Sequence, residues 1–237
     1  MADRTQKPPA PVQAPRADVE AFLGTLAKMP AVRAAGQRGR LLFALDATAS
    51  REATWDRACQ IQGEMFRETE ALGGLDVQML YYRGFDEFRA SGWLPDSNAL
   101  IGQMTAVRCL AGKTQIARVL RHASDEAKAA RVGALVFVGD CVEEESDALG
   151  ALAGELGLRG VPVFAFQEGH DAHAEHVLRQ VSRLSGGAWC RFDASSASQL
   201  RDLLAAVAVY AAGGRKALAN YSAQRKGDVL LLAKQLE

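Results

Sequence analysis

Two apolar runs constrain this chain more than any other feature: Leu41-Leu42-Phe43-Ala44-Leu45 and Ala134-Leu135-Val136-Phe137-Val138. Neither alternates with polar residues, so neither suits a strand with one face in water. Short continuous runs of this kind fit strands buried on both faces, as in parallel sheets covered by helices. Each run ends at an aspartate, Asp46 directly and Asp140 after Gly139.

The rest of the chain alternates in the same sense. Strand patterns fall at 77–82, 161–166 and 188–192, with a short edge strand expected at 85–94. Helices are expected over 51–72, 97–110, 115–130, 144–157, 173–185 and 197–212. The expected fold class is therefore α/β, a doubly wound, mostly parallel six-stranded sheet of Rossmann-like type, flanked by helices on both faces. In the strand order 3-2-1-4-5-6, strands one and four are neighbours, and the crevice beyond their C-terminal ends is where such sheets bind ligands. Asp46 and Asp140 are expected to meet there.

With 237 residues the chain can bury one large core without disulfides or metals to hold it. It carries 28 Lys+Arg against 28 Asp+Glu, a formal net charge of zero, which disfavours nucleic-acid binding through bulk charge. The longest apolar stretch, Leu203 to Ala212, is about half a membrane span. The polar, proline-rich N-terminus lacks the apolar core of a secretory signal. Cys59, Cys109, Cys141 and Cys190 form no C-x-x-C pair, so reduced thiols and a cytoplasmic location are expected.

Four of the seven prolines fall in residues 1–16, which are expected to be a disordered tail. Residues 17–37 read as an N-terminal helix and linker. Asp18 caps the helix, Val19, Phe22, Leu23 and Leu26 give it an apolar face, and Pro30 stops it. The main domain is expected over 38–214, and a C-terminal helical extension over 215–237.

The chemistry concentrates at the strand ends. Asp46-Ala47-Thr48-Ala49-Ser50 offers a carboxylate and two hydroxyls at alternating positions on a loop of small residues. Asp140 adds a second carboxylate, and Gly112-Lys113-Thr114 a third hydroxyl at a helix entrance. An all-oxygen set suits Mg²⁺ or Mn²⁺ in a partly hydrated shell and argues against zinc. A plainer reading makes Asp46 a helix cap and has Thr48 and Ser50 satisfy loop amides. The five positions occurring in order favour the metal site.

Over roughly residues 38–212 the chain resembles the von Willebrand factor A (VWA) family. That family's metal-ion-dependent adhesion site uses D-x-S-x-S after strand one, a threonine in a G-x-T loop, and an aspartate after strand four. Asp46, Thr48 and Ser50, then Thr114, then Asp140 match those positions. Thr48 replaces the usual serine and keeps the hydroxyl. Cys141 stands where glycine is common and is expected to crowd the loop. The resemblance implies divalent-metal binding and recognition of a protein partner, one of whose acidic side chains completes the metal shell.

Other features read differently. His170, His173 and His176 spread over about 120° of a helix, as at a solvated helix start rather than a second metal site. Lys113-Thr114 resembles a phosphate-binding loop, but Val107 stands where the Walker pattern needs its first glycine. Glu143-Glu144-Glu145 reads as acidic residues at the N-terminus of their own helix, or as added negative field beside the cation. Cys141 reads as a small buried residue, with a reactive thiol as the alternative. The expected function is a non-enzymatic, metal-binding interaction module. One rival is a metal-dependent hydrolase or phosphotransferase using Asp46, though position 48 lacks the second aspartate of aspartyl-phosphate enzymes. The other is a metal-free scaffold.

Overall fold

The structure is a computed structural model and describes residues 16–28, 38–52, 75–95, 97–192 and 202–212. Its elements are α1 (Arg16–Lys28), β1 (Gly39–Asp46), a 3₁₀ turn (Ala49–Arg51), β2 (Leu75–Arg83), β3 (Glu87–Leu94), α2 (Ser97–Thr105), α3 (Ile116–Ala129), β4 (Ala134–Gly139), α4 (Ser146–Leu158), β5 (Val163–Glu168), α5 (Ala172–Ser185) and β6 (Ala188–Phe192). Residues 202–212 form a further helix, α6. Most of the tail expected at 1–16, the linker, the bulk of the 51–72 helix with Cys59, the start of the 197–212 helix and the 215–237 extension lie outside the described residues.

The strands form one sheet in the order β3-β2-β1-β4-β5-β6. All neighbours run parallel except β2 and β3, which are antiparallel. The two apolar runs lie side by side, with Leu45 beside Val138. Period-2 alternation divides β1 between two cores. Leu41, Phe43 and Leu45 face α1, α2 and α6, while Leu42 and Ala44 face α3, α4 and α5. With both faces covered, an unbroken apolar strand is the low-energy choice. The doubly wound, Rossmann-like architecture anticipated from the pattern is the one observed.

Helix α1 is part of the first core. Val19, Phe22 and Leu26 are buried, and the Phe22 ring sits 5.5 Å from Phe164 and 5.4 Å from Phe166. Helix α5 starts at Asp171, whose carboxylate accepts the Ala174 N–H at 2.6 Å, and ends at Gly186 in the left-handed region (φ 77°).

Several boundaries differ from the sequence expectation; α1, for one, starts at Arg16, ahead of its expected cap Asp18, and three others have a visible cause. The helix expected over 97–110 stops at Thr105, because backbone groups of the following loop bond across to other strand ends. Leu110 N–H donates to Ala47 O, and Gly84 and Lys113 donate to Leu110 O and Gly84 O. A Cβ on Gly112 would lie 1.8 Å from Gly84 O, so only glycine fits this approach. The fifth strand begins at Val163 rather than Val161, since the Val161 N–H closes α4 onto Leu156 O and Pro162 has no N–H for the ladder. Helix α4 begins at Ser146 rather than 144, because Glu143 and Glu144 reach to a different helix.

Candidate metal centre

Strand β1 delivers Asp46 to the C-terminal edge of the sheet, at the crevice where the winding reverses. Its side chain is fully buried. Oδ1 accepts the Thr48 N–H at 2.8 Å, and Oδ2 accepts the Tyr82 hydroxyl at 2.9 Å. Tyr82 pairs with Asp46 in the β1–β2 register, so both side chains leave the same face. Burial raises the Asp46 pKa above its ordinary value. The Thr48 and Tyr82 hydrogen bonds oppose that rise, and the nearby Asp140 charge adds to it. Burial also holds the Tyr82 phenol well above its usual range, with the charge of Asp46 acting the same way, so Tyr82 stays a neutral donor.

The turn after Asp46 is fixed from several sides. Ala47 N–H donates to Tyr82 O, and Ala47 O accepts from Leu110. The Thr48 and Ser50 hydroxyls lie 3.1 Å apart, Thr48 buried and Ser50 exposed. Arg51 is 1% exposed and pairs with Glu168 at the tip of β5 at 3.0 Å. The helix-cap reading of Asp46 does not hold: Thr48 is the N-cap of the 3₁₀ turn, and Asp46 takes the Thr48 amide instead.

Strand β4 delivers the second half. A Cβ on Gly139 would lie 2.7 Å from the Phe137 ring and 3.4 Å from the Asp46 Cβ, so the bare glycine lets the two strand tips close up. Asp46, Asp140 and Cys141 each place one ligand atom within 4.8 Å of the others. Asp140 Oδ1 is buried with no hydrogen-bond partner. The pKa of the Cys141 thiol is pushed up to about 12, first by burial and then by the charges of Asp140, Asp46 and Glu143.

Thr114 is tied to the loop after β4. Its hydroxyl donates to Glu144 Oε2 at 2.8 Å and accepts the Glu143 N–H at 3.0 Å. Glu143 Oε2 accepts the Thr114 N–H, and Glu144 Oε1 accepts the Ala117 N–H. Glu144 therefore caps α3 by taking an orphan N–H of its first turn, and Glu143 holds the residue before its N-cap, while Glu145, the N-cap residue of their own helix, makes no side-chain cap bond. Both carboxylates complement the positive end of α3.

His170, His173 and His176 are exposed around the start of α5, as expected of a solvated helix start. Lys113 is exposed beside Thr114. The sequence reading missed Tyr82 as a partner of Asp46. The available signal was a tyrosine at the C-terminal end of the strand expected beside the one carrying Asp46.

The donor set fits a divalent cation. Two carboxylates converge, one of their oxygens is buried without a partner, and two hydroxyls stand on the adjoining turn.

No protein-family model and no curated protein matches the chain. Solved structures do match in shape. A von Willebrand factor type A structure from Catenulispora acidiphila is 15% identical with a TM-score of 0.59, over 73% of this chain and 43% of that one. The SpRpn10 VWA domain is 11% identical with a TM-score of 0.57, over 73% of this chain and 95% of that one. An aerotolerance-related membrane protein from Bacteroides fragilis is 15% identical with a TM-score of 0.54, over 70% and 98%. These likenesses show a VWA-type fold. Among the described residues no helix is long and apolar enough to cross a membrane.

Proposed function

We propose that this chain is a protein-recognition module that binds a divalent cation between β1 and β4. The observation that carries this reading is the convergence of Asp46 and Asp140 at the sheet's switch point, with Asp140 Oδ1 buried and unpartnered. A buried carboxylate oxygen without a donor is costly, and a cation removes that cost. Asp46 and Asp140 supply charge, Thr48 and Ser50 neutral oxygens, and Thr114 a further hydroxyl once it exchanges its Glu144 bond. These oxygen donors suit Mg²⁺ or Mn²⁺. When bound, the cation supplies a Lewis-acidic position for a carboxylate of the partner. Tyr82 and the Thr48 amide hold Asp46 in one orientation, and the bonds of Ala47 to Tyr82 and Leu110 keep the turn from moving. Free Cys109, Cys141 and Cys190 support a reducing, cytoplasmic setting.

Affinity capture with the immobilised chain in Mg²⁺, Mn²⁺ or EDTA tests this. A partner retained only with cation, and lost in both Asp46→Ala and Asp140→Ala, is the expected result. Retention indifferent to EDTA contradicts it.

A second reading, the metal-free scaffold, has its own support. Asp46 already accepts two hydrogen bonds, and the Thr114 hydroxyl already bonds to both Glu143 and Glu144. Cation-independent capture, with no calorimetric heat from Mg²⁺ or Mn²⁺, would select it.

A further inference from the structure

Position 141 is where this centre departs from an oxygen-only donor set. Cys141 follows Asp140 directly and is half-buried, and its sulfur lies within 4.8 Å of carboxylate oxygens of both Asp46 and Asp140. Among the described cysteines, Cys109 and Cys190 stand outside that group. Within the same group, Asp140 Oδ1 is buried without a hydrogen-bond partner.

We propose that Cys141 is a third protein ligand at this centre, giving its sulfur to the cation held by Asp46 and Asp140, and that it shifts ion preference from Mg²⁺ toward Zn²⁺ and Co²⁺. This rests on the metal-binding reading above and adds the identity of the ion.

Donors sharing one tetrahedral ion stand about 3.4–3.6 Å apart at ordinary zinc–oxygen and zinc–sulfur bond lengths. The three atoms lie within 4.8 Å of one another, so the side chains must draw in around the ion to ligate it together. Coordination converts the thiol to a thiolate, its proton passing to solvent as the sulfur–metal bond forms. Mg²⁺ gains little from such a ligand, because it is hard and gives up water reluctantly. Zn²⁺ and Co²⁺ accept mixed sulfur and oxygen donors and stand above Mn²⁺ in the divalent affinity series. The expected crowding of the loop by Cys141 thus becomes a ligand placed where glycine would offer none.

The test uses the full chain, stripped with chelator and titrated with Co²⁺, whose thiolate ligands give a near-ultraviolet charge-transfer band. The band is expected in the parent protein and in Cys109→Ser, and absent in Cys141→Ser. The Cys141→Ser protein should still bind Co²⁺, with affinity reduced about tenfold or more, and its preference for Zn²⁺ over Mg²⁺ should fall likewise. Cys141→Gly serves as a second variant, and both are checked for parent-like circular dichroism. Co²⁺ binding without the band, or a band that survives both Cys141 substitutions, overturns the sulfur ligand and leaves the metal site standing. Absence of binding by Co²⁺, Zn²⁺ and Mg²⁺ alike overturns the metal reading and this inference with it.

Discussion

Tyr82 donates its phenolic hydrogen to Asp46 Oδ2 at 2.9 Å from the adjacent, in-register position of the neighbouring strand. A buried carboxylate is therefore steadied by a neutral donor rather than by a cationic side chain, which leaves its charge available. Tyr82→Phe removes that donor without changing the ring. Urea unfolding of the cation-free protein should show a loss of about 1–3 kcal/mol, the usual cost of stranding a buried acceptor. Added cation should recover part of that loss, so the metal-induced gain should be larger in Tyr82→Phe than in the parent.

Asp46 also sets a pH dependence. Burial, reinforced by Asp140, raises its folded-state pKa above the ordinary 3.8. The folded state then holds this proton more tightly than the unfolded state. The stability it contributes is full below the ordinary carboxylate range and is lost as pH rises through the raised value. Asp46→Asn should thus stabilise the cation-free protein at neutral pH. That advantage should vanish as pH falls below the ordinary aspartate range. Urea melts of both proteins across that range check this, because their difference cancels the other carboxylates.

Glu144 is expected to matter to folding more than Glu145. It bridges the Thr114 hydroxyl and the Ala117 N–H, whereas Glu145 is exposed and makes no cap bond. Glu144→Ala should cost about 1–2 kcal/mol. Glu145→Ala should stay within about 0.5 kcal/mol of the parent, as expected of a surface site. Chemical denaturation of the two variants reads the difference directly.

Helix α1 should behave as core. Phe22→Ala opens a cavity against Phe164 and Phe166 and should cost about 3–5 kcal/mol. A change below 1 kcal/mol in thermal or urea melts would mean that α1 is only loosely attached.

What could be read from the residues alone follows from how local each signal is. The runs at 41–45 and 134–138 announce doubly buried strands by themselves. Their aspartates then follow from one rule about the order of parallel sheets, and the observed order agrees. The end of α2 was not legible, because the loop after Thr105 is held by Ala47 and Gly84, far away in sequence. The acidic run at 143–145 misleads for a related reason. Acids just before a helix look like its own N-terminus, and only the fold shows that two of them serve α3. Tyr82 was hidden by register, which no one-strand pattern contains. Cys141 was visible as a departure from glycine, but its distance to both aspartates exists only in the folded chain.

The most direct test of the central claim, that Asp46 and Asp140 together hold a divalent cation, is a thermal melt of the chelator-stripped chain with and without cation. Mg²⁺, Mn²⁺ and Zn²⁺ should be compared for the parent, Asp46→Ala and Asp140→Ala. At about tenfold excess over Kd, a cation bound only by the folded state adds roughly 1.4 kcal/mol, which raises Tm by a few degrees in a domain of this size. The account predicts that rise in the parent with at least one of the three ions, and its loss in both variants. A parent melt unchanged by every ion, or a rise that persists in Asp46→Ala and Asp140→Ala, would contradict it.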